Sequence, residues 1–77
     1  MVAERLFQQA KLLIENPYLG IKVEIIDDEK VRELISGNYR VVYFIADNED
    51  VLIYLVVHSS MDFNNLPRIK KLYNEQK

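Results

Sequence analysis

Two side chains between residues 37 and 58, in the stretch GNYRVVYFIADNEDVLIYLVVH, could do chemistry on an anion. Arg40 sits early in a run of β-branched, aromatic and aliphatic residues, and His58, the chain's single histidine, ends the next such run. A guanidinium offers a planar fork of N–H donors and an imidazole can donate or accept. Side by side they would form a donor-rich site able to hold a phosphate or carboxylate. Whether they meet depends on how the two runs pair. The polar residues Asp47-Asn48-Glu49-Asp50 between them leave two registers open. An odd loop count, as in a three-residue connection with a bulge, sets Asp47 against Val51 and Arg40 directly against His58, with Cα atoms roughly 4.5–5.5 Å apart. An even count sets Arg40 against Val57 and His58 against Tyr39. The odd register gathers Arg40, Phe44, Tyr54 and His58 on one face and leaves Val41, Ile45, Ile53, Leu55 and Val57 on the other. It separates polar tips from an aliphatic core and is the preferred expectation. The competing reading is structural and stands ahead on spacing alone. Arg40 would lay its stem on apolar neighbours and pair with Glu33 or Asp62, while a histidine at a strand end would be a hydrogen-bonded structural residue.

The elements that must position these groups are short. Ala3, Leu6, Phe7, Ala10, Leu13 and Ile14 recur at three- and four-residue spacing and mark one stripe of an α-helix. Leu12 lies off that stripe, either as an ordinary surface residue or as a contact for a partner. Asn16-Pro17 ends the helix and Gly20 completes the turn. Lys22 to Ile26 is a short extended candidate, and Val31 to Ile35 is a strand closed by the turn residues Ser36-Gly37-Asn38. Tyr39 to Ala46 and Val51 to His58 form the antiparallel hairpin, each apolar on both faces. Such strands are normally covered on two sides, yet one long helix is in view. Asn65 to Lys77 holds Pro67 near a helix start, with Leu66, Ile69, Leu72 and Tyr73 at helical spacing. If that segment docks elsewhere, Val42, Phe44, Tyr54 and Val56 are left as a partner-binding surface, together with Leu12. Self-association by strand addition at an exposed sheet edge is the expected consequence.

The chain's 77 residues, read as one domain over 1–77, bury little more than half of the surface that the unfolded chain exposes. Without cysteine there is no disulfide or thiolate site, and one histidine cannot build a metal centre, so no metal and no cofactor is expected. The first residues carry charges and lack a continuous apolar core, which argues against a signal peptide or a membrane span and for a cytoplasmic protein. Ten basic against twelve acidic side chains give a net charge of −2. Affinity for free DNA comes mainly from neutralised phosphates, so that balance points to a protein partner instead.

Read together, NPYLGIKV, VRELISGNYRVVYFI, VLIYLVVHSSMDF and LPRI resemble the RelE/ParE superfamily of type II toxin–antitoxin toxins. The resemblance covers nearly the whole chain. Its most specific part is the succession Arg32-Glu33-Leu34, Gly37-x-Tyr39-Arg40-x-x-Tyr43 and Val56-x-His58. It implies an α+β toxin with an N-terminal helix on a three- or four-stranded, mainly antiparallel twisted sheet and a short C-terminal helix. It also implies an antitoxin that wraps and silences the toxin, as in plasmid stabilisation systems. The ribonuclease branch cuts messenger RNA on the ribosome, and the ParE branch poisons DNA gyrase. Family members usually carry a strand and a helix ahead of the helix that opens this chain, so an abbreviated N-terminus is expected.

Metal-free RNA cleavage needs a base for the 2′-hydroxyl, cations for the charge growing on phosphate and an acid for the leaving oxygen. By resemblance, Arg40 matches the family's phosphate-binding arginine and His58 its strand-end histidine. Ribonuclease members commonly place an arginine and a C-terminal tyrosine where this chain has Ser59 and Phe63, and their groove lysines have no counterpart around Val31 to Leu34. The acid–base set is incomplete, which leans against an enzyme. The resulting expectation is a ParE-like toxin that binds gyrase, with Arg32, Tyr39, Arg40, His58 and Arg68 as target- or anion-binding residues. The alternatives are a ribosome-dependent ribonuclease using Arg40 and His58 as catalytic groups, and a shortened inactive remnant.

Overall fold

The two hairpin turns that flank the longest buried strand fall where glycine or polar residues interrupt an apolar run, at Gly37-Asn38 and at Asp47-Asn48-Glu49. The structure, a computed structural model, describes residues 2–76. Helix α1 (Val2–Glu15) stops at Asn16-Pro17, and a 3-10 turn, Pro17–Leu19, leads through Gly20 into strand β1 (Ile21–Lys22). Strands β2 (Val31–Ser36), β3 (Tyr39–Ile45) and β4 (Val51–His58) follow. A second 3-10 turn, Phe63–Asn65, then precedes helix α2 (Pro67–Gln76). The strands make one antiparallel sheet in the order β1-β2-β3-β4, so the α+β architecture read from the sequence is the one observed.

Turn chemistry fixes the pairings. Gly37, the first of two residues between β2 and β3, has φ 59°, the left-handed conformation that a two-residue hairpin demands and that glycine adopts without a Cβ clash. At the far end of β3, the Ala46 N–H donates to the Asp50 carbonyl (2.9 Å) and the Glu49 N–H to Ala46 (2.8 Å), with Glu49 left-handed at φ 68°. The extended candidate Lys22 to Ile26 is cut short. After Lys22 the Val23 carbonyl accepts from the N–H groups of both Ile26 and Asp27, which curls the chain into a tight turn.

Strand β3 is the centre of the fold because its side chains alternate between two small cores. On one face Val42 packs with Val23, Ile26 and Val31 beneath Ile69 and Leu72 of α2, ringed by Phe44, Tyr54, Leu55, Phe63 and Leu66. On the other, Tyr43 and Ile45 meet Leu13 of α1, flanked by Leu34 and Val51. Helix α2 therefore supplies the second cover that two-faced apolar strands require. It buries Val42 completely and half-buries Phe44 and Tyr54, removing these three from the expected partner surface; Leu12 and Val56 stay exposed.

The expected α1 stripe is only partly used. Leu13 is the one buried side chain among the described residues of α1, while Phe7 and Ile14 are 64% and 71% exposed. The Ala3 and Leu6 side chains lie outside what is described. The cause is the anchor at the helix end, where the Tyr43 hydroxyl donates to the Pro17 carbonyl (2.6 Å) and accepts from the Gly20 N–H (3.0 Å). Of the sheet residues expected under α1, Val41 and Ile45 are buried, Ile53 is 48% exposed, and Leu55 packs on the α2 face.

Leu13→Ala should cost about 2–5 kcal/mol through lost contacts and a cavity, and Tyr43→Phe about 1–3 kcal/mol by stranding a buried N–H and carbonyl. Ile14→Ala should stay within about 0.5 kcal/mol. Denaturant unfolding of the three variants checks this ordering, and an Ile14→Ala loss as large as that of Leu13→Ala would show that α1 is seated differently.

Candidate functional site

The hairpin register decides what Arg40 and His58 can do together. The turn has the three-residue loop of the odd count, but it is centred one residue earlier than expected, so that Ile45 pairs with Val51. A register shift at Val42/Tyr43 then inserts one extra residue, Tyr54, into β4. Beyond it the pairing is that of the even count: Arg40 faces Val57, and Tyr39 faces His58. Directly opposed residues share a face and neighbours along a strand do not, so Arg40 and His58 project from opposite faces. The preferred odd register, and the joint Arg40–His58 site built on it, are corrected by this bulge.

Arg40 lies on the α2 face. Its guanidinium sits 4.2 Å from the ring centroid of Phe63, held there by the 3-10 turn after β4, and its Nε is 3.5 Å from Glu33 Oε1. That Nε is buried and has no hydrogen-bond partner, so the contact with Glu33 is an ion pair without a well-formed hydrogen bond. The structural reading of Arg40, with its charge on Glu33, is the arrangement seen. Phe63, which entered the sequence reading only as a departure from a family tyrosine, is its platform; nothing in the spacing signalled that contact. Beside them is an open cleft of about 360 Å³ lined by Lys22, Glu24, Ile25, Glu33, Arg40 and Asn64, among others.

His58 is exposed on the α1 face at the sheet's end. Its ring meets Tyr39 edge-on at 5.4 Å between centroids and 78° between planes. The Ser60 N–H donates to Nδ1 (3.1 Å), and the Ser60 hydroxyl lies 2.8 Å from the same atom. An Nδ1 that accepts a backbone N–H places the ring hydrogen on Nε2, which leaves that edge as a donor.

The other expected target-binding residues lie elsewhere. Arg32 is occupied by the fold: Nε donates to the Gly20 carbonyl (3.0 Å), and Nη1 donates to the Glu29 carbonyl (3.0 Å) and faces the Glu29 carboxylate at 3.3 Å. Arg68 on α2 stacks on Tyr54 at 4.2 Å while the Tyr54 hydroxyl donates to the Arg68 carbonyl. Arg32, Arg68, Arg40 and the Tyr39–His58 pair thus occupy four separate places. No cluster of three or more His, Asp or Glu side chains with metal-binding spacing occurs among the described residues, and none of the described helices is long and apolar enough to cross a membrane.

Burial holds the Glu33 carboxyl above the usual carboxylate range, and the nearby Arg40 charge pulls it partly back. A carboxyl raised in the folded state contributes its stability fully below the ordinary value and loses it as pH rises through the raised one. Glu33→Gln removes that titration. The stability of the unmodified chain relative to Glu33→Gln should therefore increase as pH falls through the window just above the ordinary carboxylate range, and stay level between there and neutrality. Paired urea melts across that window test the sign; a relative stability that drops on acidification would mean that Arg40, not burial, governs Glu33.

A family model described as "ParE toxin of type II toxin-antitoxin system, parDE" matches residues 1–63. No curated protein matches the chain, and no solved structure does. The matched span runs from α1 through the whole sheet to Phe63, and so includes Tyr39, Arg40 and His58. The chain belongs to the ParE toxin family of type II toxin–antitoxin systems.

Proposed function

We propose that the protein acts as a toxin by binding, with DNA gyrase as its target, and that a cognate antitoxin in the cytoplasm silences it as part of a plasmid-stabilising pair. The observation that carries the binding reading is the separation of Arg40 from His58. A metal-free ribonuclease must bring a cation and a proton-transfer group to one phosphate. Here those two groups leave the hairpin on opposite faces, and Arg40 is paired with Glu33 and stacked on Phe63, which can neither give nor take a proton. The exposed side chains Phe7, Leu12 and Ile14 of α1 are apolar surface that an antitoxin segment would cover.

Induced expression of the chain should arrest growth, and the purified protein should trap gyrase-dependent DNA breaks in a supercoiling assay. Ribosome-bound messenger RNA should stay intact with the unmodified chain and with His58→Ala alike, since proton transfer is not asked of that side chain. Messenger RNA cleavage that disappears in His58→Ala would replace this reading with the ribonuclease one, and expression without any arrest would favour the inactive remnant.

A further inference from the structure

The two edges of the sheet are guarded very differently. The β1 edge is two residues long and carries Lys22, which is bound to Asp27 at 2.7 Å and lies 3.8 Å from Glu29. The β4 edge is eight residues long, Val51–His58, with no proline and no Asp, Glu, Lys or Arg; its neighbour in the sheet on one side is β3, and among the described residues no strand lies on the other. Short length and charge are the usual protections of an edge, and β4 has neither. Leu52, Ile53 and Val56 on it are 55%, 48% and 44% exposed.

We propose that β4 is a homodimerisation edge, joining β4 of a second copy antiparallel about a two-fold axis between Tyr54 and Leu55. The bulge dictates this register. Because Tyr54 and Leu55 both pack on the α2 face, residues before the bulge and residues after it fall into step. Ile53 then lies opposite Val56 of the second copy on the α1 face, and Leu52 opposite its Val57 on the α2 face. Tyr54 lies opposite its Leu55, and Val51 opposite its His58. All eight residues pair with faces matched, no like charges meet, and the apolar groups left half-exposed by α1 join into one cross-copy cluster. A bulge commonly turns an edge away from partners; placed on the two-fold, it bends both strands in the same symmetric way. An edge of eight residues spans about 27 Å. A contact confined to one strand and its flanking side chains is a small interface, so the dimer should dissociate on dilution. The inference rests on the sheet alone and is independent of the gyrase reading.

The chain has no cysteine, so engineered thiols report cleanly. Ile53→Cys and Val56→Cys, both at half-exposed positions, are mixed and mildly oxidised. Opposed positions lie within disulfide reach, whereas two copies of the same variant hold their thiols about 10 Å apart along the strands. The mixture should cross-link at least about tenfold faster than either variant alone. Sedimentation of the unmodified chain should pass from dimer to monomer mass between about 1 mM and 1 µM. Monomer mass throughout, or cross-linking no faster in the mixture than in the separate variants, overturns the proposal.

Discussion

The hydroxyl of Tyr43 is the constraint on which the rest of the structure depends. Its ring is fully buried in the central strand, and its oxygen is held between the Pro17 carbonyl and the Gly20 N–H, residues separated from it by more than twenty positions in the chain. One side chain thereby sets where α1 ends and where β1 begins. Gly20 is bound to this spot by space, since a Cβ there would collide with the Glu33 carbonyl and with the Tyr43 hydroxyl itself. Arg32 closes the same knot by donating to the Gly20 carbonyl. The consequence reaches the surface: with the helix pinned at its C-terminal end, Leu13 packs onto Tyr43 and Ile45, while the apolar side chains of Phe7 and Ile14 are left largely exposed.

The bulge at Tyr54 is the second determinant, and it governs chemistry where Tyr43 governs architecture. One inserted residue shifts the pairing by one between the turn and the open end of the hairpin. Because the side-chain period of a strand is two, a one-residue shift exchanges faces. It sends His58 to the Tyr39 side and leaves Arg40 with Glu33, Val57 and Phe63. It also places Tyr54 beside Phe44, with ring centroids 4.9 Å apart, where both rings help to seat α2 and Arg68 of that helix stacks on Tyr54. The same residue that dismantles a joint Arg40–His58 site thus builds the second core.

Much of this was legible in the sequence because it rests on local rules. Pro17 stopping α1, Gly37 turning β2 into β3, the two long strands and Pro67 opening α2 follow from dihedral limits that act over a few residues. That Arg40 would pair with an acid was also legible, with Glu33 and Asp62 as the two candidates; the fold selects Glu33. The bulge was not. A stretch such as VLIYLVVH is apolar at every position before its final histidine, so it carries no alternation from which a register could be read, and either count satisfies it equally well. Ile69 and Leu72 were visible at helical spacing, but the polar, short composition of α2 gave no sign that they dock on this sheet face and cover Val42, Phe44 and Tyr54. For α1 the helical stripe was correct as periodicity, yet periodicity cannot say how much of a stripe the sheet touches: Leu13 is buried and Ile14 beside it is exposed.

A chain with two thin cores has a physical reason to depend on a partner. Neither core contains more than a handful of fully buried side chains, and the apolar groups that would thicken them stand in water on α1 and β4. Any molecule that covers those groups only when the chain is folded stabilises it by mass action, in proportion to the logarithm of its concentration over its dissociation constant. For a member of a toxin–antitoxin family this coupling has a direction. The surface that α1 leaves open is separate from the Arg40 cleft on the α2 face, so a partner seated on α1 can hold the fold together without filling that cleft. Silencing by such a partner would then have to act through reach and bulk. A partner that instead extended along β4 would reach both faces of the sheet at once, because the side chains of that strand alternate between them.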